Sequence, residues 1–230
     1  MQKLVVLTGA GISAESGLPT FRDSDGLWNH YRFEEIASID AWNNNPEDVL
    51  AFYNMRRKKL SEVEPNAAHK ALVELEKKYD VCIITQNVDN LHERAGSKNI
   101  IHLHGELTKA RSEKNPDLVS EIGYNDIVPN DKASDGSRLR PHIVWFGEGV
   151  PMISEAIKIV QQTDIFLIIG TSLQVYPAAS LINYTSKHCR IIFIDKKADS
   201  NAAVSAKIKC INGLSSVQIP ILVDELLSDV

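Results

Sequence analysis

Short, uninterrupted apolar runs recur along this chain, separated by polar or amphipathic stretches. Residues 4–7, 81–85, 100–103, 143–146, 165–169 and 191–194 form such runs, with 207–211 a weaker seventh. Each is apolar at consecutive rather than alternate positions, the pattern of a strand covered on both faces in a parallel sheet. The gaps carry helical signals. Asn45-Pro46 gives a cap and a first-turn proline to a helix bearing Val49, Phe52, Tyr53, Arg56 and Leu60. Asn66 opens another with Ala68, Leu72 and Leu75, and Ile153, Ala156, Ile157 and Val160 mark a third. The alternation predicts an α/β fold, a doubly wound and mostly parallel sheet in a single domain over 1–230. Two stretches break the rhythm and are expected to be small inserted modules. Residues 23–65 are rich in Trp, Asn and charge and read as helical. Residues 105–140 are polar, with turn signals at Asn115-Pro116, Pro129-Asn130 and Asp135-Gly136.

Composition narrows the class of molecule without choosing a chemistry. The chain is 43% hydrophobic and 24% charged, ordinary for a globular protein. A formal charge of -5 gives no basic footprint, so nucleic acid is not expected as a partner. No apolar run is long enough to span a bilayer, and Met1-Gln2-Lys3 leads directly into the first run. A cytoplasmic monomer without a membrane partner is therefore expected. Cys82, Cys189 and Cys210 are widely separated and lie in or beside apolar runs, as reduced, buried thiols do.

Candidate chemistry collects where the runs end. After 4–7, Gly9-Ala10-Gly11 with Ala14 matches the G-x-G-x-x-G/A dinucleotide fingerprint, so the sheet is read as Rossmann-like. In that reading Gly9 serves a tight turn, Gly11 lets backbone approach a pyrophosphate, and the next helix presents free N–H groups. Gln86-Asn87-Val88-Asp89 follows the second run, His104-Gly105-Glu106-Leu107 the third, and Gly170-Thr171-Ser172 the run at 165–169. All of these fall at the carboxyl ends of strands, on one sheet edge where such folds bind ligands. Pro19-Thr20-Phe21-Arg22 is foreign to ordinary dehydrogenases. With Gly9 to Ser13 and the block Arg140 to Glu148, RPHIVWFGE, these motifs resemble the sirtuins, NAD-consuming protein lysine deacylases, over roughly the whole chain.

The resemblance implies NAD as co-substrate and acyl-lysine proteins or peptides as partners. Read from the residues alone, His104 is a histidine at a strand end, where a hydrogen-bonded structural place is the commoner reading and general base work near neutrality the alternative. The resemblance assigns it the base that deprotonates a ribose hydroxyl after the acyl oxygen displaces nicotinamide. His102, two positions earlier on the same face, reads as structural. Asn87 and Asp89 also share a face; they are either turn formers or, as the resemblance implies, catalytic groups of the nicotinamide pocket. It further assigns cofactor contacts to Gly9, Ala10, Gly11, Ser13, Glu15, Thr20, Phe21, Arg22, Trp28, Gln86 and Val88. Arg22 could instead pair with Asp23 or Asp25. Later contacts fall on Gly170, Thr171, Ser172, Asp195, Lys196 and Ser215, with Asp195 standing where relatives more often have Asn.

Substrate contacts are expected from Val144, Trp145, Phe146 and Gly147, either as a strand edge that pairs with peptide backbone or as a core strand. Tyr53 and Arg56 lie three apart on one predicted helix face. They are a surface pair beside Arg57, Lys58 and Lys59, or they match the Y-x-x-R element of desuccinylase-type sirtuins, which implies succinyl- and malonyl-lysine as substrates. Relatives hold a structural zinc in the second insertion through two cysteine pairs. No Cys occurs between Cys82 and Cys189, so that thiolate site cannot form, and a shortened loop without metal is expected. Two other readings stay open: a non-enzymatic NAD or ADP-ribose sensor, and a protein ADP-ribosyltransferase.

Overall fold

The computed structural model describes residues 1–21, 27, 32–198 and 208–228. Arg22 and Trp28, both expected at the cofactor, lie outside the described residues. The strands are β1 (Lys3–Thr8), β2 (Asp80–Thr85), β3 (Ile100–His102), β4 (Gly105–Ser112), β5 (Val119–Glu121), β6 (Leu139–Ile143), β7 (Ile165–Ile169), β8 (Arg190–Asp195) and β9 (Lys209–Asn212). The helices are α1 (Ala10–Ala14), α2 (Phe33–Ile36), α3 (Ile39–Asn44), α4 (Pro46–Ser61), α5 (Ala67–Glu74), α6 (Leu91–Ala95), α7 (Ile153–Val160) and α8 (Ser215–Ser228). Among the described residues no helix is long and apolar enough to cross a membrane.

Six parallel strands form the main sheet in the order β3-β2-β1-β7-β8-β9. The order reverses between β1 and β7, which opens a crevice at their carboxyl ends. Consecutive residues serve opposite faces, which explains the unbroken apolar runs. Leu4, Val6, Leu167 and Ile192 meet Leu72 of α5 and Leu222 of α8 on one side. Val5, Leu7, Phe166 and Phe193 meet Ala156 and Val160 of α7 on the other. A third apolar cluster lies apart, under the first insertion. There Trp42, Val49, Phe52, Tyr53 and Leu60 pack with Leu107, Ile143 and Trp145.

Two expectations change. The run at 143–146 is not a strand of the main sheet: β6 ends at Ile143, and Trp145 turns into the third cluster. An apolar run shows that a segment is covered, but not by which core. The second insertion is not a bare loop either, since β5, β4 and β6 pair antiparallel in a three-stranded sheet. The weak run at 207–211 corresponds to β9, the sheet's last strand.

Candidate active site

The glycines after β1 are there for packing. Gly9 N–H donates to Ile169 carbonyl at 3.0 Å, and Gly11 N–H to Gly170 carbonyl at 2.8 Å. A Cβ on Gly9 would sit 2.7 Å from Gly170 oxygen, and one on Gly11 2.7 Å from Gly170 Cα. Gly9 itself is extended, at φ -124°, so its expected service as a tight-turn residue is not what selects it. The turn after β1 and the turn after β7 touch backbone to backbone, and side chains are excluded from the floor of the crevice. α1 behind it is only five residues long. Glu15 faces α8, accepting from Ser216 N–H at 3.2 Å and from its hydroxyl.

All the expected site residues that are described line one cleft of about 1000 Å³. Gly9 to Phe21, Gln86 to Asp89 and His104 form one wall with Tyr53 and Arg56; Val144 to Gly147, Gly170 to Ser172, Asp195, Lys196 and Ser215 complete it. Glu148 also lines it and was not singled out from the sequence.

His104 is held in a defined tautomer. Its Nδ1 lies 2.9 Å from Gln86 carbonyl, which can only accept, so Nδ1 carries the hydrogen. Nε2 is left as the basic nitrogen. Burial lowers the pKa of the ring, with the Gln86 bond opposing, which keeps it neutral and able to take a proton at pH 7. Asn87 is fixed on several sides. Its N–H donates to Thr85 hydroxyl at 3.0 Å, and its side-chain amide donates to Gly9 carbonyl and Ser13 hydroxyl, each at 3.1 Å. With the NH₂ engaged, the amide oxygen is the group left for a ligand. Asp89 is buried, accepts from Leu91 N–H at 3.2 Å, and has its pKa raised, chiefly by burial.

Beneath these lies a buried polar ring that the sequence did not reveal. Ser13 hydroxyl is 3.5 Å from His69 Nε2, and the His69 and His92 rings meet edge to face at 5.0 Å. His92 Nε2 lies 3.1 Å from Thr8 hydroxyl, which donates to Thr85 hydroxyl at 2.8 Å. Burial lowers His69 to about 4 and His92 well below its usual value. The available signal was Thr8 and Thr85, the polar ends of two apolar runs.

The segment after β6 is held by charge. Glu148 takes both guanidinium arms of Arg140 at 2.8 and 2.9 Å, pairs with Arg111 at 3.2 Å, and accepts from Trp145 N–H at 2.8 Å. Arg140 also lies 3.6 Å over the Trp145 ring. Phe146 N–H donates to Ala37 carbonyl, while its own carbonyl accepts from Ile39 N–H. The backbone of Trp145 and Phe146 is thus engaged within the protein, so neither residue offers the free strand edge expected for a peptide. Trp145 Nε1 donates to Tyr53 hydroxyl at 3.0 Å, and burial raises that phenol to about 12. Arg56 lies 4.9 Å over Phe21 and 5.8 Å from Phe52, and among the described residues no carboxylate is in ion-pair range of it. Both residues line the cleft, Tyr53 buried and Arg56 half-buried, and the neighbouring Arg57 is fully buried.

In the second insertion, Ser112 hydroxyl donates to Asp135 at 2.7 Å and accepts from Lys114 and Asn115 N–H at 3.1 and 2.9 Å. Ser137 hydroxyl also donates to Asp135, at 2.7 Å. These bonds tie the far end of β4 to the turn before β6.

A reversed-order parallel sheet with a side-chain-free floor and a neutral imidazole over the crevice defines a dinucleotide-binding α/β protein equipped for proton transfer. The model of the Sir2 family matches residues 9–177. The chain is 58% identical over 212 residues to an NAD-dependent protein deacylase of Helicobacter pylori (strain ATCC 700392 / 26695), covering 92% of each. A protein of the same description from Bacteroides thetaiotaomicron is 54% identical, with 86% of each covered. A Sir2 homologue solved with NAD superposes with a TM-score of 0.86 at 42% identity, covering 98% of this chain and 89% of that one. A mutant Sir2 homologue in complex with ADP ribose gives 0.89 at 41% identity, covering 99% and 94%. This chain belongs to the Sir2 family.

Proposed function

We propose that the protein is an NAD-dependent protein lysine deacylase that acts best on lysines bearing an acidic acyl group. One observation carries the reading: His104, held neutral with Nε2 free, shares a cleft with Asn87, Asp89 and the glycine floor. The cleft fits NAD, since the turns at Gly9, Gly11 and Gly170 pack too closely for a Cβ and so leave no side chain in the dinucleotide's path. NAD supplies an electrophilic sugar carbon with nicotinamide as leaving group, and a place for the departing acyl chain. His104 Nε2 receives a proton from a sugar hydroxyl. Asn87 presents its amide oxygen to the carboxamide, and Asp89, whose charge acts on Arg56, lines the same cleft. The assigned contacts of Thr20, Phe21, Gln86, Gly170, Thr171, Ser172, Asp195, Lys196 and Ser215 with the cofactor belong to this proposal. So do a cytoplasmic setting and a monomeric state.

The acyl preference follows from Arg56. A half-buried guanidinium packed against aromatic rings, which feels the charge of Asp89 but has no described carboxylate in ion-pair range, favours an incoming carboxylate. Tyr53 hydroxyl accepts from Trp145 and keeps its own proton to donate. A succinyl or malonyl group supplies the partner for both; an acetyl group supplies none. The test is incubation with NAD and succinyl-, malonyl- and acetyl-lysine peptides, read by mass. Free lysine with O-acyl-ADP-ribose, formed fastest from the acidic acyl groups, is the expected result. NAD binding without nicotinamide release would reject the enzyme in favour of a sensor.

A further inference from the structure

Two histidines leave β3 two residues apart and meet two consecutive carbonyls of the segment after β2. His104 Nδ1 donates to Gln86 carbonyl at 2.9 Å; His102 Nδ1 donates to Asn87 carbonyl at 3.2 Å. The rings differ in their second nitrogen. Among the described residues that of His104 has no partner, whereas His102 Nε2 lies 2.6 Å from Glu93 Oε1 of α6. A carbonyl and an ionised carboxylate both only accept, so His102 must donate from both nitrogens, and a ring that does so is an imidazolium. His102 is thus a charged clip between Glu93 and the main chain of Asn87.

We propose that the Glu93–His102 pair is a positioning device that holds Asn87 for the nicotinamide end of the cleft and releases it when His102 loses its proton. The inference rests on the deacylase reading and adds residues that make no contact with the reacting atoms. Neutral His102 keeps one hydrogen for two acceptors. The 2.6 Å bond to the carboxylate is the shorter and charge-assisted one, so the 3.2 Å bond to Asn87 is the one given up. The charged groups around the ring favour the cation. Glu93 faces it from α6 and Glu106 from β4, and Asp89 adds to them; His92, also near the ring, is kept neutral by burial and by the His102 charge. Lys109 is engaged with Glu106 at 2.8 Å and Glu121 at 3.4 Å. Burial pulls the other way but is outweighed, and the His102 pKa is raised. Release therefore falls on the alkaline side, opposite to the acid limb set by His104.

The test is steady-state kinetics with an acyl-lysine peptide from pH 6 to 10, fitting kcat, KM for NAD and the inhibition constant of nicotinamide. For the unmodified protein, KM and the inhibition constant should rise roughly 3–10-fold through an alkaline transition, the size of one lost hydrogen bond, with kcat at saturation little changed. Glu93→Gln removes the charge and should move that transition to lower pH. His102→Asn keeps an uncharged donor toward the carbonyl and should abolish the transition with affinity near that of the unmodified protein. His102→Leu should give weak NAD affinity at every pH. An alkaline transition unmoved in Glu93→Gln and His102→Asn overturns the proposal, even if His102→Leu unfolds. Absence of turnover in the unmodified protein would instead defeat the deacylase reading.

Discussion

At His104 the catalytic proposal depends on which nitrogen carries a proton, and Gln86 carbonyl settles that. Because burial holds the ring below its ordinary pKa, the basic form is already present at neutral pH. Activity should therefore rise through an acid limb below about 6.5 and then level off. His104→Ala should lower kcat by about 10²–10⁴-fold while calorimetry still shows NAD binding; near-normal turnover would reject the assignment. Arg56 offers a separate measurement. Arg56→Met should lower kcat/KM for succinyl-lysine by roughly 10–100-fold, the worth of a hydrogen bond to a charged group, and spare acetyl-lysine. Equal losses on both substrates would show that Arg56 supports the fold and not the acyl group. Both residues were legible in the sequence as candidates. That no described carboxylate comes within ion-pair range of Arg56 was not, since partners come from distant parts of the chain.

At the scale of elements, the three-stranded sheet shows how an insertion keeps its shape without thiolates. Ser112 hydroxyl answers two backbone N–H groups of the turn after β4 and donates to Asp135 before β6. Ser112→Ala leaves those groups without their acceptor in a nearly buried place, and should destabilise by about 1–3 kcal/mol. Chelator should leave both melting temperature and turnover of the unmodified protein unchanged. A chelator-induced drop in melting would mean that a metal contributes to the fold. The segment after β6 depends on Glu148 in a similar way, because Arg140 and Arg111 both converge on it. Glu148→Gln halves the acceptors available to them and loosens Trp145, so the KM for acyl peptide should rise several-fold while NAD affinity holds. An unchanged peptide KM would count against Trp145 as part of the substrate wall. Arg140 and Glu148 both sat in the motif read from the sequence. Their pairing across eight residues became visible only when the chain folded back on itself.

For the whole molecule, the buried ring of Thr8, Thr85, His92, His69 and Ser13 joins the sheet to the pocket. His69 is neutral when folded, with a pKa of about 4 against about 6.5 unfolded. A depressed histidine pKa means that the unfolded chain binds the extra proton first. Stability is therefore complete above pH 6.5 and is lost as pH falls from there toward 4. The two pKa values correspond to about 3 kcal/mol over that window, as an order of magnitude. Denaturant titrations at pH 7 and pH 4.5 should show the loss, and His69→Gln should reduce it. An acid dependence unaffected by His69→Gln would place the sensitivity elsewhere.

The sequence alone determined the layered α/β architecture, because a strand covered on both faces needs consecutive apolar residues and an amphipathic helix needs its own period. It also located most of the cleft, because parallel strands present their carboxyl ends on one edge and the motifs follow the strands directly. Tertiary structure alone decided which core claimed each apolar run. Residues 143–146, an apolar run, went to the insertion, and the weaker, half-polar β9 went to the main sheet. It decided the glycines' purpose as well, since the contact between Gly9, Gly11 and Gly170 joins segments some 160 residues apart. The sequence already read His102 as structural and His104 as the base by resemblance, but the partners of the two rings came only with the fold. A carboxylate from α6 charges His102, whereas among the described residues His104 bonds only a main-chain carbonyl.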